Sequence, residues 1–266
     1  MPKIEVNGVN IDCDVYGTGS PLVLVHGFSG SKDTWKNQIP EFSKYYQVIV
    51  MSHRGHGDSD KPLEEEYYSV PVIADDIHTL LKKLNIRGKV IILGHSFGSR
   101  VTIQYCLSYP EQIKAAILFG TKTNPAPSGP DKRLSFDNLI RDAQEKGIEK
   151  FFDDIAHLWF SPEADPEFVR ANTVDSYKVP LHTVIGILKS GLAANYTDDD
   201  ISKLDMPTLV VVGESDKPTP LEDAEKINRL LPDSCLKIIK GAGHMAHVEK
   251  PEVFNRAVLN FLKKLP

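Results

Sequence analysis

A chain of 266 residues with a hydrophobic fraction of 41% holds enough apolar material for one large domain or two small ones. Its formal charge of −5 lacks the basic surplus of a nucleic-acid binder. No apolar run approaches the ~18 residues of a membrane span, and the start Met1-Pro2-Lys3-Ile4-Glu5 has no apolar secretory core, so a cytoplasmic location is expected.

Residues 3–6 and 11–16 predict two short strands around the turn Asn7-Gly8-Val9-Asn10. After a second turn, Gly17-Thr18-Gly19-Ser20-Pro21, the unbroken apolar run Leu22-Val23-Leu24-Val25 suits a strand buried on both faces of a sheet. The loop His26-Gly27-Phe28-Ser29-Gly30 breaks it. A short helix is expected within residues 34–42, then a buried strand, Val48-Ile49-Val50-Met51. Glu64-Glu65-Glu66 is a solvated charge run. Residues 70–84 place Ile73, Ile77, Leu80, Leu81 and Leu84 on one side of a helix, a spacing that suits packing on a sheet. A strand over residues 90–93, a helix over 100–108 stopped by Tyr109-Pro110, and a strand over 113–119 follow.

Alternating buried strands and helices predict an α/β fold with a mainly parallel sheet. From Gly120 the rhythm changes. Helices are expected over 134–146, 148–158, 165–174 and 180–193, with no buried strand among them. The middle of the chain, residues 121–196, therefore reads as a helical cap inserted after the sixth predicted strand. Residues 1–120 and 197–266 form the core domain. Phe136, Phe151, Phe152, Trp159, Phe160, Leu188 and Leu192 supply the apolar surface of the cap, and most of them need do no more than attach it to the sheet. Asp198-Asp199-Asp200 reads as a helix N-terminus, favoured by the helix dipole, and not as a metal site. The strand over 208–212, a helix over 221–230, a strand over 235–239 and a helix over 251–265 complete the chain. Cys13, Cys106 and Cys235 lack metal-ligand spacing and are expected as buried free thiols in a reducing compartment.

The stretch Gly94-His95-Ser96-Phe97-Gly98 stands between a buried strand and a helix. So tight a turn pushes the serine side chain out of the backbone path. Glycine is needed at both ends because a β-carbon there would strike the neighbouring strand and helix. A serine hydroxyl is a poor nucleophile near neutrality and needs a base, which in turn needs an orienting partner. In a sheet with reactive groups at strand ends, those partners belong in loops after other strands. Asp216 follows one strand and His244 another, giving the chain order Ser, Asp, His. Glu214 and His247 are rivals for the acid and the base. His53 and His56 flank a glycine loop without a third metal ligand nearby.

Four motifs in register now resemble the α/β-hydrolase superfamily over nearly the whole length: His26-Gly27-Phe28, Gly94-His95-Ser96-Phe97-Gly98, Gly213-x-x-Asp216, and Gly243-His244 followed by Glu249 and Pro251. The resemblance implies that Ser96 is the nucleophile, His244 the general base and then acid, and Asp216 its orienter. It implies an oxyanion hole from the backbone N–H groups of Phe28 and Phe97, and a structural role for His26. Trp159 and Met245 are candidate pocket walls. One departure is Ser52, where the superfamily usually has Asp before Arg-Gly-x-Gly, so rigidity of that loop is in question. Dehalogenases and epoxide hydrolases of this fold use Asp in place of Ser96. C–C bond hydrolases usually have a longer oxyanion loop with its own proline.

The expected activity is hydrolysis of a small to medium, largely apolar ester or lactone through an acyl-enzyme. No metal, cofactor or nucleic acid is implied, and the oligomeric state is not given. The alternatives are a slow-turnover small-molecule receptor or stress-pathway regulator, a C–C bond hydrolase or perhydrolase, and, last, an inactive scaffold.

Overall fold

The computed structural model describes residues 3–123, 135–191 and 194–265. Strands β1 (Ile4–Val6) and β2 (Val9–Ile11) form a separate hairpin. Strands β3 (Cys13–Tyr16), β4 (Pro21–Val25), β5 (Gln47–Met51), β6 (Val90–His95), β7 (Ile113–Phe119), β8 (Thr208–Gly213) and β9 (Ser234–Ile239) build one sheet in the order β3-β5-β4-β6-β7-β8-β9. Within this sheet, among the described residues, only the pairing of β3 with β5 is antiparallel.

The hairpin corrects one expectation. The turn is Asn7-Gly8 alone, with φ of 47° and 80°, as a two-residue hairpin demands. Asn10 pairs with Glu5, inside the ladder. The expected strand over residues 11–16 is in fact two strands, broken at Asp12. The Asp12 N–H donates to Ser59 Oγ (2.9 Å), and its carbonyl accepts from Ser52 N (2.9 Å). The helical insertion consequently follows the seventh strand, β7, and not the sixth.

Alternate residues of the central strands feed two cores. Val23, Val25, Ile49, Met51 and Ile92 pack with helices α2 (Val70–Lys83) and α3 (Phe97–Ser108). Leu22, Leu24, Val48, Val50 and Leu93 face the other side, against Phe42 of α1 (Ile39–Phe42) and Phe254, Val258 and Leu262 of α11 (Pro251–Leu262). Each fully buried Leu or Ile contributes about 1.5–3 kcal/mol. The predicted stripe on α2 is buried at Ile73, Ile77, Leu80 and Leu81.

Between β7 and β8 lie α4 (Phe136–Lys146), α5 (Ile148–Ala156), α6 (Pro166–Ala171) and α7 (Leu181–Gly186), a π-helical turn (Ile187–Gly191) and α8 (Asp198–Ser202). Helix α6 is shorter than expected: Asp165 caps it by accepting from Glu167 N and Phe168 N, and it ends before Asn172. Thr197 caps α8 at the acidic run. Phe151, Phe152, Val184 and Leu188 make a third apolar cluster, with Phe28 and Trp159 against it. Leu192 and residues 124–134 lie outside the described residues. Helices α9 (Leu221–Leu230) and α10 (Ala246–Glu249) flank β9 in the chain.

Cys13 and Cys106 are buried, but Cys235 is exposed, contrary to expectation. It sits on the edge strand β9, where alternate residues face outward. Among the described residues no helix is long and apolar enough to cross a membrane.

Candidate active site

Parallel register brings the C-terminal ends of β4, β6, β7, β8 and β9 to one edge of the sheet, with Val25 beside Gly94 and His95 beside Phe119. The loops after these strands carry Phe28, Ser96, Asp216 and His244. Ser96 stands between β6 and α3 with φ 54° and ψ −117°. A non-glycine residue there costs about 1–3 kcal/mol and must be held by its surroundings. Its N–H donates to Phe119 O (2.8 Å), while its carbonyl accepts from Ser99 N (2.9 Å). A Cβ on Gly98 would fall 2.2 Å from Val25 O, and one on Gly94 would fall 2.3 Å from Gly98 O. Helix and strand approach this closely only because both positions are glycine.

His244 and Asp216 are buried and joined. His244 Nδ1 donates to Asp216 Oδ2 at 2.8 Å, which leaves Nε2 of the neutral ring as an acceptor. Asp216 also accepts from Thr219, through N–H to Oδ1 (2.9 Å) and through Oγ1 to Oδ2 (2.8 Å). His95 Nε2 donates to the carbonyl of His244 (2.9 Å) from beneath. Burial holds the His95 ring well below its usual range, so it serves as a neutral prop. Gly120 at φ 58° brings backbone against the same ring: a Cβ there would lie 3.0 Å from His244 Cε1.

Ser96 and His244 line one cavity of about 240 Å³ together with Phe28, Phe97, Trp159 and Met245. All seven residues singled out from the sequence thus meet at this site, Asp216 through its contact with His244. No hydrogen bond joins the Ser96 hydroxyl to His244. Such contacts commonly tighten only with substrate in place.

The loop bearing Phe28 is fixed through histidines. His26 Nδ1 donates to Gly27 O (2.8 Å), His53 N–H donates to His26 Nε2 (2.9 Å), and His56 Nε2 donates to Phe28 O (2.7 Å). His53 Nε2 donates to His26 O (3.1 Å). Burial pushes all three rings down, His53 to about 3. His53 directs Nε2, and His56 both ring nitrogens, at backbone carbonyls, while His53 Nδ1 has no partner among the described residues. The loop with Ser52 is tied without the usual Asp: Ser59 Oγ donates to Ser52 O (2.7 Å), and Arg54 grips Asp76 through two bonds of 2.7 Å.

The two rivals are occupied elsewhere. Glu214 accepts from Gly241 N (2.9 Å). His247 is fully buried on α10 among Trp35, His95, Phe119 and Phe254, and burial lowers it to about 3.

Several contacts at the site escaped the sequence reading. Thr219 follows Asp216 by three residues, and Asp-x-x-Thr is a local turn signal that could have flagged it. Glu249 accepts from Gly243 N and Ser161 N, both at 2.8 Å, and so ties the histidine loop to the helical insertion. Met245 N donates to Trp159 O (2.9 Å) across the same seam. Ser176 Oγ donates to Ser29 Oγ (2.8 Å), joining the insertion to the Phe28 loop. Arg100 and Lys122 also line the cavity.

The alpha/beta hydrolase fold family matches residues 20–251. The chain is 30% identical to a 2-hydroxy-6-oxo-6-(2'-aminophenyl)hexa-2,4-dienoic acid hydrolase of Metapseudomonas resinovorans, over 98% of this chain and 90% of that one. It is 30% identical to a non-heme chloroperoxidase of Kitasatospora aureofaciens, over 97% and 98% of the two chains. The solved structure of an N-acyl homoserine lactone degrading enzyme superposes with a TM-score of 0.87 at 28% identity, covering 98% of this chain and all of that one.

Proposed function

The chain belongs to the alpha/beta hydrolase fold family, and from that premise we propose that it is a serine hydrolase of carboxylic esters or lactones. The observation that carries this reading is the buried 2.8 Å contact between His244 and Asp216 at the cavity that Ser96 lines. In the proposed reaction His244 Nε2 takes the Ser96 proton as Oγ attacks the carbonyl carbon. The N–H groups of Phe28 and Phe97 stabilise the oxyanion, each worth about 3 kcal/mol in the transition state. The imidazolium, oriented by Asp216, gives its proton to the leaving alcohol. Water activated by the same histidine then releases the acid. Residues 121–196 act as a cap over the strand ends. Their aromatic side chains, Trp159 above all, together with Met245, shape a largely apolar pocket for small to medium substrates.

Similarity to a lactone-degrading enzyme supports the choice of scissile bond, since esters and lactones share one acyl-transfer chemistry. The Metapseudomonas relative favours adding a vinylogous 1,5-diketone acid to the substrate panel, as a test for C–C cleavage. The decisive experiment measures turnover on p-nitrophenyl esters of increasing chain length and on lactones, with Ser96→Ala as control. Multiple turnover that falls at least ~10⁴-fold in Ser96→Ala is expected. Turnover that survives the substitution, or a single acylation without release, would overturn the reading.

A further inference from the structure

The cavity wall next to Ser96 holds a buried cation with no acid paired to it among the described residues. Arg100 lies one helical turn beyond Ser96 on α3, its N–H 3.3 Å from the Ser96 carbonyl, and it is one of the residues lining the same cavity. It is 4% exposed. Guanidinium Nη1 donates to Lys122 O (3.0 Å), and the Tyr196 ring covers one face at 5.4 Å. Nε and Nη2 are buried and find no hydrogen-bond partner among the described residues. No carboxylate among those residues pairs with Arg100. The acids that line the cavity, Asp33 and Asp175, are exposed residues, and Asp175 is bonded to Lys178.

Nε and Nη2 form the edge of the guanidinium that grips a carboxylate with two parallel bonds. The same chain displays that grip at another buried arginine: Arg54 Nε and Nη2 hold the two oxygens of Asp76 at 2.7 Å each. A buried charge is normally paired, because leaving it unpaired is costly. The Arg54 edge is satisfied from within the fold, whereas the Arg100 edge finds no partner among the described residues, and Arg100 lines the cavity beside Ser96.

We propose that Arg100 is the binding residue for a carboxylate on the acyl portion of the substrate, so that the enzyme acts on half-esters or on lactones bearing a free acid. This deepens the serine-hydrolase reading and rests on it. The fork is closed off from solvent behind the cavity wall. Binding therefore requires rotation about the last side-chain torsions to bring the fork to the cavity that Arg100 lines. Four residues of helix separate Ser96 and Arg100 by about 6 Å along the axis, so a short dicarboxylic acyl chain spans from the serine to the guanidinium. An anion there also offsets the repulsion between Arg100 and Lys122, which lowers the Lys122 ammonium below its usual range after burial has done so first.

The test compares monoethyl half-esters of short dicarboxylic acids with the diethyl esters of the same acids. The wild-type protein is expected to favour the half-ester in kcat/KM by about 10–100-fold, the worth of a charge-assisted pair. Arg100→Met should bring that ratio toward one, and Arg100→Lys should retain part of it, since an ammonium lacks the planar fork. Should Arg100→Met fail to fold, Arg100→Lys and Arg100→Gln carry the comparison. Glutarate binding to Ser96→Ala, measured by calorimetry with and without the Arg100 substitution, needs no turnover. Arg100-dependent glutarate binding without serine-dependent hydrolysis would keep the subsite and sink the hydrolase reading. Serine-dependent hydrolysis with equal use of both ester types, and no glutarate binding, would sink the subsite and keep the hydrolase.

Discussion

His26 Nδ1 lies 2.8 Å from the carbonyl oxygen of Gly27 and donates to it. The donor is fixed because the other ring nitrogen already accepts from His53 N–H. In a planar trans peptide the N–H points opposite to the C=O. Holding the Gly27 carbonyl therefore aims the Phe28 N–H the other way, and Gly30 N–H adds a second bond to the same oxygen (3.2 Å). His26 thus acts through a peptide and never needs to touch substrate. It is a positioning residue for the proposed oxyanion hole.

Replacing His26 by Gln should lower kcat by about 10–100-fold and leave KM nearly unchanged, because the donor it aims works mainly in the transition state. A stopped assay over a range of ester concentrations separates the two constants. Equal effects on both would mean that the loop shapes binding and not the oxyanion.

Asp216→Asn should cost about 10⁴ in kcat, since an amide can present an N–H to His244 Nδ1 and favour the wrong tautomer. Thr219→Val removes the hydroxyl on Asp216 Oδ2 but keeps the backbone bond to Oδ1, so a loss nearer 10-fold is expected. Comparable losses in the two variants would show that the Asp216 position depends on Thr219 as much as on its own charge.

The sheet and the loops after β4, β6 and β8 were legible because buried strands read as unbroken apolar runs with glycine close behind, while the edge strand β9, interrupted by Lys237, is marked by Gly241-Ala242-Gly243 after it. The residues proposed as catalytic stood in those loops. What was illegible depends on packing between distant segments. Arg100 looks like an ordinary helical arginine until Lys122, Tyr196 and the cavity are seen around it. Glu249 belongs to a sequence motif, yet its two bonds run to Gly243 and to Ser161, 88 residues away. Cys235 reads as apolar in a strand, but it lies near the start of the edge strand β9, where it is exposed while Ile239 at the far end is buried. Asp12 splits a strand because Ser52 and Ser59, far along the chain, claim its backbone.

Glu249→Ala should destabilise the fold by about 3 kcal/mol, as two backbone donors lose a charged acceptor. Activity should fall as well, because the bond to Gly243 positions the loop of His244 and the bond to Ser161 holds the insertion to it. Urea unfolding together with an ester assay reads both. Full activity at reduced stability would separate the clamp from the chemistry.

Acid sensitivity should arise from histidines that are kept neutral. Burial lowers His53 and His247 to about 3, and it holds His26 and His95 well below their usual range. Unfolded, these rings take up protons through pH ~6.5. The unfolded state therefore binds more protons between that pH and about 3. Stability is fully present above pH 6.5 and is lost as the pH falls. With the slope rising to about 1.4 kcal/mol per group per pH unit below pH 6.5, His53 and His247 alone should remove about 3 kcal/mol between pH 6.5 and 5. Depressed carboxylates such as Asp14 and Asp60 titrate well below that window. His247→Phe isolates one contribution. Both His247 ring nitrogens lack partners, and Trp35, Phe119 and Phe254 surround the ring at 5.1, 5.3 and 5.9 Å, an environment that suits an apolar aromatic. The ring also faces His95 with 4.7 Å between centroids, and the proximity of His244 adds to the effect of burial on it. The variant should gain about 2 kcal/mol over wild type at pH 5 relative to the difference at pH 7. Parallel stability curves for the two proteins from pH 7 to 5 would show that His247 takes no part in the acid response.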